Sequence, residues 1–245
     1  MDYDKDFEEG YTASSLGNIH YMRHRSEGKK LIFLHGLGGT TKAWARLMRF
    51  MPEDLDISLL DMLGHGKSAA PEDINYTISE QVQVLQEFVS DQNNGSSCIV
   101  GHSYGGWVAA YYASYPYPSS SFVLEDCAGL AGNLRPDLDE QGREEKMERL
   151  VQTLLMLGNK EYVMRSIIDA SLKEQLTVEV LSRIKKPTLI VWGSRDDTVN
   201  PEYASIFNRE IKGSRVEIVE GASHEPHYTN AQEFAQKIIG FIGEN

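Results

Sequence analysis

Three residues far apart in this 245-residue sequence have the types that nucleophilic catalysis needs: Ser103, Asp196 and His224. A serine hydroxyl is a weak nucleophile near neutral pH. It needs a base within hydrogen-bond reach, a group to orient that base, and donors for the developing oxyanion. Ser103 lies in Gly101-His102-Ser103-Tyr104-Gly105, a G-x-S-x-G pattern. Before it, Ser97-Cys98-Ile99-Val100 is short and apolar, like a buried strand. After it, Gly106-Trp107-Val108-Ala109-Ala110-Tyr111-Tyr112-Ala113 reads as a tightly packed helix. A strand that turns sharply into a helix forces the serine at the turn into a strained conformation. The glycines let the two elements approach closely enough for that turn. The hydroxyl then projects from the sheet end, near the positive end of a helix dipole.

The partners follow in the order nucleophile, acid, base. Asp196 closes Val191-Trp192-Gly193-Ser194-Arg195-Asp196, just after an apolar strand. His224 ends Glu220-Gly221-Ala222-Ser223-His224, after the last strand and before the closing helix. Competing assignments stay open. Asp197 adjoins Asp196, Asp126 follows the strand over 121–125, and His227 is three residues beyond His224.

The elements that must position these groups are legible as alternating periods. Short apolar strands are predicted over 30–34, 56–60, 97–100, 121–125, 187–191 and 216–219. Segments 12–16 and 19–24 flank Gly17-Asn18 as a hairpin. Helical spacing covers 43–51 (Trp44, Leu47, Met48, Met51), 78–89 (Ile78, Val82, Leu85, Val89) and 230–242, the last with an Asn230/Glu233 capping box. Strands alternating with helices imply an α/β fold, a mostly parallel central sheet flanked by helices. Residues 131–183 break the alternation and show only helical patterns. The segment begins with dense charge (Asp137, Asp139, Glu140, Arg143, Glu144, Glu145, Lys146, Glu148, Arg149). It continues as an apolar stretch, a helical insertion across the strand ends. Met147, Met156 and Met164 are candidates either for an adaptable pocket lining or for core filler.

The composition is that of a soluble globular chain, 41% hydrophobic and 24% charged. A formal net charge of −12 disfavours nucleic acid and anionic membrane surfaces as partners. No apolar run approaches the roughly 20 residues that span a bilayer. The N-terminus is acidic without an apolar core, so the expected location is cytoplasmic. Cys98 and Cys127 read as reduced core residues, and no CxxC or HExxH suggests a metal. No cofactor is implied, and the oligomeric state is not readable.

Taken in order, several motifs resemble the α/β-hydrolase superfamily, in its small-cap, esterase-like branch. They are His35-Gly36-Leu37-Gly38-Gly39, the Asp61-to-Ser68 loop, Gly101 to Gly106, Gly193-Ser194-Arg195-Asp196 with Val199 and Pro201, and Gly221-Ala222-Ser223-His224. The resemblance implies a hydrolase core over 1–130 and 184–245, with a helical cap over 131–183. It implies that Ser103 attacks an acyl carbonyl, His224 takes the serine proton, and Asp196 orients His224. The backbone N–H groups of Leu37 and Tyr104 would form the oxyanion hole. Asp196 is favoured over Asp197 by its spacing from Gly193. His35, His65 and His102 would support loop geometry. Two departures stand out. Glu225 follows the histidine, where it either raises the base's pKa or points into solvent. Met62-Leu63 replaces the common arginine or proline.

The implied activity is serine hydrolysis of carboxylic esters with short to medium acyl chains, through an acyl-enzyme, on a small-molecule ester or related acyl substrate. An aminopeptidase would need an anionic patch, which the acidic start of the insertion could supply. A C–C bond hydrolase would need a cation for a carboxylate, with Arg165 and Lys160 as candidates. Lactonase, thioesterase and perhydrolase activities share the machinery. A non-catalytic ligand-binding member is the alternative of another class. Dehalogenase and epoxide hydrolase relatives place aspartate where Ser103 stands.

Overall fold

The computed structural model describes residues 1–92, 96–134 and 143–244. Asp137, Asp139 and Glu140 of the charged stretch lie outside the described residues, as do the side chains of Arg143, Glu144, Glu145 and Lys146.

The apolar runs become strands: β1 (Glu8–Ser14), β2 (Gly17–His24), β3 (Lys30–Leu34), β4 (Asp56–Leu60), β5 (Cys98–His102), β6 (Ser121–Glu125), β7 (Thr188–Gly193) and β8 (Arg215–Val219). Among the described residues they form one sheet, ordered β1-β2-β4-β3-β5-β6-β7-β8. β1 and β2 pair antiparallel, as do β2 and β4, and all later pairs are parallel. β4, β5, β6 and β7 are buried at every residue, as strands covered on both faces must be.

Covering helices occupy the two faces. One apolar core lies under α2 (Ile78–Asp91) and α3 (Tyr104–Ala113). The other lies under α1 (Ala45–Met48) and the closing helix, which runs Ala231–Glu244. α2 starts with a capping box, Thr77 with Glu80. The box expected at Asn230/Glu233 differs: the Asn230 N–H donates to the Pro226 carbonyl at 2.9 Å, and Glu233 lies 3.4 Å from Lys237. The expected helix over 43–51 is a 3₁₀ turn (Thr41–Trp44) followed by α1. Its apolar face is as read, with Trp44, Leu47, Met48 and Met51 all buried.

The hairpin turn sits at Ser15-Leu16, two residues earlier than Gly17-Asn18 suggested. Ser14 Oγ donates to the Gly17 carbonyl at 2.6 Å, and Glu87 accepts from both Ser15 N–H and Oγ. Those side-chain bonds close the turn, and Gly17 instead opens β2 with φ 120°.

Between β6 and β7 come α4 (Arg143–Met156), α5 (Glu161–Ser171) and α6 (Val178–Ser182). β3 is the strand where the chain order reverses, with β4 on one side and β5 on the other. Parallel α/β sheets bind ligands at the carboxyl ends of strands beside such a switch point. Leu34 pairs with Gly101, so the loop after β3 lies beside the turn after β5.

Candidate active site

Ser103 has φ 49° and ψ −110° and caps the N-terminus of α3. That strain persists because its surroundings fix it. Its N–H donates to the Glu125 carbonyl at 2.9 Å, and its carbonyl accepts from Trp107 and Ala128 N–H. The glycines permit the turn sterically. A Cβ on Gly105 would stand 2.6 Å from the His35 carbonyl, and one on Gly101 would overlap the Gly105 main chain. Every residue of α3 except Tyr111 is buried, so the helix cannot drift from β5 and β6.

The distant partners arrive on the loops after β7 and β8. His224 Nε2 lies 3.0 Å from Ser103 Oγ, and His224 Nδ1 lies 2.7 Å from Asp196 Oδ2. The other Asp196 oxygen accepts from Thr198 N–H (2.8 Å) and Val199 N–H (2.9 Å). Burial alone raises the Asp196 carboxyl, but its hydrogen bonds, His224's foremost, outweigh that and hold it below the usual carboxylate range. Asp197, the neighbouring candidate, is exposed and near Thr198 rather than His224. Asp126 is buried, with Oδ1 accepting from Gly193 N–H at 3.0 Å. His227 is turned to Glu125, not to Ser103.

Leu37 and Tyr104 both line the cavity beside Ser103. Tyr104 is the first residue of α3, so its N–H is one that a helix leaves free. A Cβ on Gly36 would stand 2.8 Å from His102 Nδ1, which shows how closely the Leu37 loop approaches the elbow.

The remaining histidines hold loops. His35 accepts Met62 N–H on Nε2 (3.0 Å), and its Nδ1–H donates to the Gly36 carbonyl (2.8 Å). His102 Nε2 meets the His224 carbonyl at 2.8 Å. Burial keeps His35, His65 and His102 below the ordinary imidazole range. Asp61, at the start of the Met62-Leu63 loop, accepts from Thr41 N–H and Lys67 N–H and lies 2.7 Å from His20 Nδ1. That pins the loops after β3 and β4 together. Sequence reasoning gave no role to His20, nor to the pairing of His227 with Glu125, because each bond joins residues on different strands or loops.

A cavity of about 350 Å³ opens over Ser103. Met147 and Leu150 of α4 and Ile167 and Ile168 of α5 supply apolar wall. The three methionines separate: Met147 lines the cavity, Met164 is core, and Met156 is 86% exposed. No Lys or Arg is among the described lining residues. Arg165 instead pairs with Glu148 and Glu161, each at 2.9 Å, and Lys160 is exposed before α5. Glu225 is exposed at the cavity margin. Asn159, between α4 and α5, donates to the Gly38 carbonyl at 3.2 Å, tying those helices to the Leu37 loop. Cys98 and Cys127 are free and buried, and burial pushes the Cys98 thiol up to about 12. Among the described residues, no helix is long and apolar enough to cross a membrane.

Comparison with known proteins agrees with this architecture. The model of the Alpha/beta hydrolase family matches residues 31–237. The chain is 26% identical to Lipase 1 of Psychrobacter immobilis over 244 residues, covering 87% of this chain and 77% of that protein. It is 25% identical to Monoacylglycerol lipase ABHD6 of Homo sapiens over 252 residues, covering 86% and 74%. A solved membrane phospholipase A, described as a bacterial virulence factor, superposes with a TM-score of 0.83 at 24% identity, covering 98% of this chain and 86% of that one. With its sheet order, its strained serine turn and a family match over most of its length, this chain belongs to the alpha/beta hydrolase family.

Proposed function

We propose that the chain is a serine hydrolase that cleaves carboxylic esters of short to medium acyl chain through an acyl-enzyme. The observation that carries this reading is the relay from Asp196 through His224 to Ser103, with contacts of 2.7 and 3.0 Å, at the base of an apolar cavity. Similarity to a lipase and a monoacylglycerol lipase supports an ester as the bond cleaved.

Ser103 Oγ attacks the carbonyl carbon while His224 Nε2 takes its proton. Asp196 holds Nδ1–H and stabilises the imidazolium. The oxyanion forms against Leu37 N–H and Tyr104 N–H, where losing one donor typically costs about 3–4 kcal/mol. The tetrahedral adduct collapses, and His224 returns the proton to the leaving alcohol. Water then enters, His224 takes its proton as the hydroxide oxygen attacks the acyl carbon, and His224 returns that proton to Ser103 Oγ as the acyl–Oγ bond breaks and the acid leaves.

A cavity of about 350 Å³ is near the low end of small-molecule sites, roughly 300–1,000 Å³. That supports short to medium acyl groups under the apolar wall that α4 and α5 supply. A C–C bond hydrolase would need a cation for a substrate carboxylate, and among the described residues none lines the cavity.

The test is labelling and turnover. A fluorophosphonate should modify Ser103, and p-nitrophenyl esters should turn over with an optimum at short to medium chains. Ser103→Ala should lower kcat by about a millionfold. Absence of both labelling and turnover would leave a binding protein. An optimum at long triglycerides would overturn the chain-length assignment.

A further inference from the structure

A second carboxyl stands behind the Asp196–His224 pair. Asp126 follows β6, is fully buried, and has φ 43°, a conformation uncommon outside glycine. Its Oδ1 accepts the Gly193 N–H at 3.0 Å, but its buried Oδ2 receives no hydrogen bond from a protein donor. One oxygen of Asp126, one of Asp196 and one ring nitrogen of His224 lie within 4.8 Å of one another. Two ionised carboxylates cannot share so dry a place without strong repulsion. An orphaned buried oxygen adds its own desolvation penalty. One proton removes both problems, because the orphan becomes a donor and its neighbour is an acceptor.

We propose that Asp126 is a positioning residue whose carboxyl keeps a proton on Oδ2 and donates it as a hydrogen bond to the Asp196 carboxylate, fixing that carboxylate against His224. This rests on the catalytic roles proposed above. The surroundings favour the neutral acid. Burial, then the negative charges of Glu125 and Asp196, push the Asp126 carboxyl up to about 11. The titratable groups around it are Glu125 and Cys127 from its own segment, Asp196 from the loop after β7, and His224 from the loop after β8. Glu125 is already held by His227, so Asp196 is the acceptor left to Asp126.

Two variants of the full-length chain separate donor from bulk. In Asp126→Asn the amide donates in place of the hydroxyl, so kcat should stay within about threefold of wild type, with an unchanged pH profile. In Asp126→Leu the donor is lost, and kcat should fall about tenfold with KM little altered. More negative charge then faces His224, favouring imidazolium, so the acid limb of the profile should move to higher pH. Infrared difference spectra of wild type against Asp126→Asn at neutral pH should contain the C=O stretch of a protonated carboxylic acid. No such band, or an Asp126→Asn as impaired as Asp126→Leu, overturns the proposal. If Asp126→Leu does not fold, the infrared band and the Asp126→Asn kinetics still decide. Ester hydrolysis that survives in Ser103→Ala would overturn the catalytic reading instead, and the band would not register that.

Discussion

His227 and Glu125 form a second imidazole–carboxylate pair, buried beside the first. The His227 N–H donates to Glu125 Oε1 at 2.7 Å, and its Nδ1 lies 3.0 Å from each carboxylate oxygen. The His102 ring lies between the two histidines, with centroids 4.7 Å from His227 and 4.9 Å from His224. The pair anchors the short helix Pro226–Thr229 to the end of β6. The His224 loop therefore has a fixed floor three residues after His224.

Removing the acceptor of a buried hydrogen-bonded pair leaves its donors unsatisfied, at a typical cost of about 1–3 kcal/mol. Glu125→Ala should lose stability on that scale in urea denaturation. It should also lower kcat more than it raises KM, because His224 loses its anchor. Glu125→Gln keeps an acceptor for the His227 N–H and should cost less. A loss below about 1 kcal/mol in Glu125→Ala would show that the pair does not hold the loop.

The two adjacent aspartates should behave very differently. Asp196 is buried, bonded to His224 and accepts two backbone N–H groups, whereas Asp197 is exposed. Asp196→Asn presents an amide where Nδ1–H needs an acceptor, which favours the wrong tautomer. A loss of about 10⁴ in kcat is expected, with KM little changed. Asp197→Asn should stay close to wild type. Steady-state kinetics on one neutral ester decides this, and equal losses in the two variants would remove Asp196 from its assigned role.

Asp196 is preferred to Asp197 through the family resemblance, whose pattern its spacing from Gly193 matches, and it is Asp196 that lies against His224 while Asp197 is exposed. The serine turn was equally legible, because Gly101, Gly105 and Gly106 report close approach in their own identities. Contacts between distant segments left no such trace. Nothing near Glu125 marks it as the partner of a residue 102 positions away. Nothing near Asp126 shows that its second oxygen faces a crowded carboxylate. The hairpin misplacement has the same origin, since Ser15 is held by Glu87 on α2. Of the three methionines, only packing of α4 and α5 could tell Met147 at the cavity from Met156 in solvent.

The cavity's charge should select among substrates. Glu225 stands exposed at its margin, and no Lys or Arg is among the described residues lining it. An ester with a carboxylate on its leaving group should react more slowly than its neutral isostere. Glu225→Gln should narrow that gap by about two- to fivefold, the scale of exposed charge interactions. Added salt should narrow the wild-type gap too, since exposed charges are screened. Comparing kcat/KM for the two esters at low and high salt tests it. A gap insensitive to both salt and the substitution would rule out Glu225 as its source.

Acid should weaken the fold partly through His65. Its ring is 1% exposed, packs 5.0 Å from His35, and has Nε2 without a protein partner. Burial, then the neighbouring His35, push its pKa down to about 3. An unfolded chain would give this histidine an ordinary value of about 6.5. Between those two values the unfolded state binds the extra proton and the folded state does not. Stability from this group is therefore intact above about pH 6.5 and falls as the pH drops toward 3, by up to about 1.4 kcal/mol per pH unit. His65→Phe keeps a flat ring and removes the titration. It should start less stable at pH 7, having lost the Nδ1 contact with the Leu63 carbonyl at 3.2 Å. It should then lose less stability than wild type on acidification. Urea denaturation at pH 7, 6, 5 and 4 gives the two slopes. Parallel slopes would mean that His65 is protonated in the folded chain or that its burial is relieved before unfolding.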